Sequence, residues 1–74
     1  MPPNTPVRVR ITPAAERAVR DGHPWVYADA IREASREGVA GDIAAIYDRK
    51  DRLLALGLFD PLSPIRVRVI HRGK

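Results

Sequence analysis

Arginine at every second position of a β-branched run is the strongest chemical signal in this sequence. In Ile65-Arg66-Val67-Arg68-Val69 the period of two sends Ile65, Val67 and Val69 to one face and Arg66 and Arg68 to the other. A guanidinium carries a rigid fork of donors that can clamp a phosphate through two of them, so the chemistry on offer is anion binding, not catalysis. Val7-Arg8-Val9-Arg10-Ile11 repeats the pattern with Arg8 and Arg10 outward. If the two strands are neighbours, four guanidinium groups form one patch; the plain alternative is a solvated sheet face. A third group, Arg17, Arg20 and His23, surrounds Gly22. Arg20 can equally compensate a helix dipole, and His23 can be a simple turn residue. Nothing near His23 would orient or activate it, so no catalytic role is assigned.

Two further sets could touch a nucleic acid. Trp25, Tyr27 and Phe59 could stack on bases. The core is the stronger claim on them, because so small a domain needs its large apolar groups inside. Asp42 and Asp60 would repel phosphate and read as turn residues.

These residues need elements to position them. Gly57 to Val69 organises the chain: an apolar run from Leu53 to Phe59, a turn bounded by Pro61 and Pro64, and the arginine strand. Each proline removes a backbone donor and extends the residue before it, so no helix continues through the turn. Propensity favours a helix for the Leu/Ala-rich run, but its length of about eight and the glycine before Leu58 favour a buried strand. Gly57 marks a bulge or bend. Upstream, Thr12-Pro13 announces a helix over 13 to about 21, with Ala15, Ala18 and Val19 as a thin apolar stripe and Glu16 aiding only the dipole. Gly22 ends it, and Pro24 prevents its resumption. A short strand with Trp25 and Tyr27 facing the core follows. Residues 28–36 are assigned a loop with about one helical turn. Ile43 to Tyr47 is a strand, joined to Leu53–Phe59 by a polar loop of three to five residues. So few strands hide a core only by curling, which gives a mainly β fold with one or two short helices, the helix closing one end of a small barrel.

Composition narrows the function classes. The chain has 74 residues and a net charge of +4. One compact core is the most it can build. Eleven arginines against two lysines lean toward RNA or DNA, although a GC-rich coding sequence produces the same bias. With no cysteine, disulfides, thiol nucleophiles and zinc clusters are excluded, and His23 and His71 are too far apart for a local metal motif. No apolar stretch approaches the roughly 20 residues of a membrane span, and the start is not a signal peptide. A cytoplasmic location, with no membrane partner, is the expectation.

Gly22-His23-Pro24-Trp25-Val26-Tyr27, then Gly41-Asp42-Ile43, then Leu56 through Val69, in this order and spacing, resemble the N-terminal PUA domain of bacterial 23S rRNA cytosine-5 methyltransferases that use S-adenosylmethionine. The likeness runs from about residue 7 to 72. It implies a PUA-like β pseudo-barrel that binds structured, ribosomal RNA. It also implies further domains of the same parent protein as partners, and S-adenosylmethionine as the parent's cofactor. The helix and following loop of such domains border the RNA cleft, which points to Arg17, Arg20, Gly22 and His23 beside Arg66 and Arg68. This chain has no glycine-rich cofactor loop and no cysteine nucleophile, so no catalytic, cofactor or metal residue is assigned in it. Residues 1–6 are expected to be a disordered lead-in, 7–72 the domain, and 73–74 the start of a linker. The alternative function is a structural module that packs on and positions the parent's other domains without touching RNA.

Overall fold

A computed structural model describes residues 6–73. Most of the lead-in, residues 1–5, and Lys74 of the expected linker lie outside the described residues. Six strands form one sheet: β1 Val7–Ile11, β2 Trp25–Tyr27, β3 Ile31–Ala34, β4 Ile43–Tyr47, β5 Leu53–Phe59 and β6 Ile65–Arg72. Their order is β2-β6-β5-β4-β1-β3, with β1 and β4 parallel and the other neighbours antiparallel. The sheet curls around Val7, Val9, Ile11, Ile46, Phe59 and Val67, all buried. This is the mainly β pseudo-barrel expected, left open between its edge strands β2 and β3.

Helix α1, Pro13–Arg20, starts as its sequence dictates: the Thr12 hydroxyl accepts from the Ala15 N–H at 3.2 Å, and Pro13 occupies the first turn. Val19 enters the core and Ala15 packs against it. Gly22, at φ +99°, takes the left-handed conformation that ends the helix. The Leu/Ala-rich run is strand β5 and not a helix, and its register slips between Leu56 and Gly57. There a Cβ on Gly57 would lie 2.5 Å from the Arg68 carbonyl oxygen, so the bulge depends on the missing side chain.

Three expectations need correction. Residues 28–36 are not a loop with a helical turn. A single 3-10 turn, Ala28–Ala30, leads into β3, which pairs antiparallel with β1 (Val9 opposite Ala34, Ile11 opposite Ile31). Only Ile31 of β3 packs on the core, so the apolar alternation that marks a strand is absent from its sequence. Trp25 and Tyr27 do not face inward; Val26 does, at 1% exposure, and the rings stay 44% and 43% exposed. Glu16 does more than aid the helix dipole. It is buried at 2% exposure and accepts from the Arg49 N–H at 3.1 Å, tying α1 to the β4–β5 turn.

Candidate nucleic-acid interface

The turn from α1 into β2 gathers most of the candidate residues. Arg17 lies exposed on α1, three residues before Arg20, and makes no ion pair among the described residues. The His23 imidazole folds back on the strand. Its Nδ1 lies 3.1 Å from the Trp25 carbonyl and 3.2 Å from the Trp25 N–H, so the ring is tethered in either tautomer. β6 completes the arrangement. The Val69 N–H donates to the Pro24 carbonyl at 2.7 Å, and Arg68 sits directly opposite Trp25. Arg68 is exposed and has no ion-pair partner among the described residues. Arg72 reaches across from the end of β6 and donates to the Gly22 carbonyl.

Between α1 and β2 lies a hollow of about 260 Å³, floored by Ala14, Ala15 and Ala18 and walled by His23, Trp25 and Tyr27. The three rings stand at mutual angles. Trp25 and Tyr27 are 6.4 Å apart between centroids and inclined by 87°, and His23 lies 6.2 Å from Trp25. Trp25 and Tyr27 thus meet edge to face, a favoured aromatic arrangement that leaves a corner between their planes. Asp29 stands on the rim and makes no hydrogen bond or ion pair with any described residue.

Other candidates are placed differently. Arg20 points away from the hollow's wall to a buried acid cluster, with Nη2 donating to Asp48 at 2.9 Å and Nη1 3.5 Å from Glu16. Asp48, 1% exposed, also accepts from the Lys50 and Arg52 N–H groups at 2.8 and 2.9 Å and from Arg52 Nε at 3.0 Å. The Arg52 N–H foremost, then Lys50 and the Arg52 side chain, hold this carboxyl below its ordinary range against the opposing effect of burial. Arg66 is half-buried at a bulge opposite β2, and its Nε donates to the Ser63 carbonyl at 3.2 Å. Arg8 and Arg10 do not join Arg66 and Arg68 in one sheet patch, because β5 and β4 separate β1 from β6. Arg10 is paired with Asp51 instead.

Sequence reasoning missed Arg72 and misplaced the aromatic pair. Arg72 follows an irregularity at Ile70, where the β5–β6 register slips and simple alternation stops predicting sides. The aromatic pair was legible as sharing a face opposite Val26, but the choice of face was wrong.

Residues 9–72 match the family described as PUA-like domain. The chain belongs to that family. The PUA-like domain is 57% identical over 67 residues to a ribosomal RNA large subunit methyltransferase of Deinococcus radiodurans, with 90% of this chain and 16% of the relative covered. It is 34% identical over 62 residues to ribosomal RNA large subunit methyltransferase I of Pseudoalteromonas atlantica, again covering 84% of this chain and 16% of the relative. The chain thus spans about one-sixth of the length of these relatives. Among solved structures, an H/ACA RNP bound to a substrate RNA containing 2'-deoxyuridine superposes with a TM-score of 0.79 at 26% identity, covering 92% of this chain and 24% of that one. NSun6 from Pyrococcus horikoshii shares the fold, with a TM-score of 0.77 at 22% identity and coverage of 95% and 22%.

A second hollow, of about 280 Å³, lies beside Arg8 and Arg10. Among the described residues no group of three or more His, Cys, Asp and Glu side chains is placed to hold a metal ion. No step of a methyl transfer is assigned to this domain.

Proposed function

We propose that this PUA-like domain is an RNA-binding module of a large-subunit ribosomal RNA methyltransferase, specific for cytosine C5 and dependent on S-adenosylmethionine, and that it holds structured ribosomal RNA for the parent's catalytic domain. The observation that carries this reading is the convergence of Arg68 and Arg72 on the α1–β2 turn, with Arg17 exposed on the helix that leads into it. None of the three guanidinium groups has a carboxylate partner among the described residues. Exposed cations held on a rigid edge are suited to phosphate contacts, which supply most of the affinity and its salt dependence. His23 and Gly22 belong to this surface; Arg66 borders it at the bulge opposite Tyr27. Arg20 is assigned to structure, given its two carboxylate partners.

Amide NMR titration of the domain with a ribosomal RNA hairpin, at low and at physiological salt, tests the reading. Shifts clustered on residues 17–25 and 66–72 that weaken as salt rises are the expected result. A flat titration at low salt would overturn it. One observation favours the positioning role as well: Ile43 and Leu58 are exposed side by side on neighbouring strands, in the cross-strand row that continues through Arg68. If the parent's other domains pack there, the same amides should be protected from solvent only in the full-length protein.

A further inference from the structure

We infer that the hollow between α1 and β2 is a pocket for one unpaired nucleobase, extruded from folded RNA and stacked on Trp25 with its edge against Tyr27, with Asp29 accepting a hydrogen bond from the base's amino group. This rests on the RNA-binding reading above and adds base recognition to a surface otherwise read as gripping phosphates.

The argument begins with a misfit. A domain of 74 residues has few large apolar groups to spare, yet it leaves its single tryptophan and a tyrosine nearly half exposed and gives the inward position to a valine. Those rings form a corner against a floor of alanine methyls, with no described residue between them. Singly exposed apolar residues are ordinary; an aromatic corner around a hollow is a stacking platform. The occupant's size follows from the volume. About 260 Å³ accommodates one planar base.

Its chemistry follows from the rim. Arg68, opposite Trp25, and Arg72, held on Gly22, stand ready for phosphates flanking the base. Asp29 offers only acceptors. A carboxylate accepts from the exocyclic amine of adenine, cytosine or guanine, whereas uracil has no such amine and its one ring N3–H stands between two carbonyl oxygens that repel a carboxylate. Bases splayed out of bulges and loops are the form in which aromatic surfaces recognise RNA.

Trp25 reports directly, being the chain's only tryptophan. The probe is a ribosomal RNA hairpin carrying one bulged residue: A, C, G, U or an abasic sugar. Stacking should quench tryptophan emission with A, C and G. The abasic hairpin should bind about 5- to 150-fold more weakly than the A-bulge form, with uridine in between. Trp25→Ala should lower affinity for the A-bulge hairpin to the abasic level and leave abasic binding unchanged, a coupling that general unfolding would not produce. Asp29→Asn, an exposed and conservative change, should flatten the preference over uridine. Equal affinity for all five hairpins with unaltered emission would overturn the pocket while leaving RNA binding by the arginines intact. Absence of binding to any hairpin at low salt would remove the underlying reading as well. Adenosine monophosphate lacks the flanking phosphates and should bind more weakly than the A-bulge hairpin; equal affinity would make this a free-nucleotide site and overturn the proposal.

Discussion

At the scale of single residues, what a guanidinium can do depends on whether the protein has already engaged it. Arg20 and Arg68 both looked like phosphate ligands, and both are exposed, but Arg20 spends its donors on Asp48 and Glu16 while the Arg68 guanidinium has no partner among the described residues. Arg68→Gln should therefore reduce RNA affinity and make the plot of log affinity against log salt shallower by just under about one unit, with no change in urea midpoint. Arg20→Gln should do the reverse, lowering the urea midpoint because two buried carboxylates lose a partner, and leaving the salt slope alone. Salt-dependent binding isotherms and urea melts on the two variants decide the matter. The partnership itself could not be read from the sequence. Glu16 is one turn before Arg20 and suggests an ordinary surface pair, but Asp48 is 28 residues away and its burial is set by the β4–β5 turn.

At the scale of elements, the strands that carried alternation or an apolar run were legible, and those that carried neither were not. β1, β4, β5 and β6 announce themselves in sequence, and Gly57 signals its bulge. β3 fails because Ile31-Arg32-Glu33-Ala34 gives only one side chain to the core, its pairing with β1 being made by backbone groups that every sequence possesses. β2 fails differently. Its alternation was right and its facing wrong, since volume argued for burying the rings while the single position left inside has room for Val26. Gly57 gives the element-scale prediction. In Gly57→Ala the new methyl would meet the Arg68 carbonyl at 2.5 Å and Val67 Cγ1 at 2.6 Å, so β5 and β6 must part at the bulge. A loss of about 1–3 kcal/mol in urea unfolding is expected. Arg68 also stands opposite Trp25, so the tryptophan emission maximum should move even where the fold survives.

At the scale of the whole molecule, stability is tied to two carboxylates in turns. Asp42 accepts from the Val39 N–H at 2.9 Å and pairs with Arg36 at 3.0 Å, and these, the backbone bond foremost, hold its carboxyl below the ordinary range as Asp48's partners do for Asp48. A carboxyl depressed on folding contributes stability above its unfolded value and loses it as pH falls through the folded one. Thermal melts should thus be flat from neutrality to about pH 5 and drop below about pH 4. Asp48→Asn should begin less stable and show a smaller acid-induced drop; an undiminished drop would show that Asp48 is not among the groups responsible.

β2 has one sheet neighbour, and that neighbour is the last strand of the domain. During synthesis, then, the helix and the tryptophan emerge early but have nothing to lean on, and the hollow takes shape only when residues 65–72 leave the ribosome and insert between β5 and β2. The recognition surface is the final thing this domain builds, and a nascent chain cannot seize RNA through that hollow before the whole domain is made.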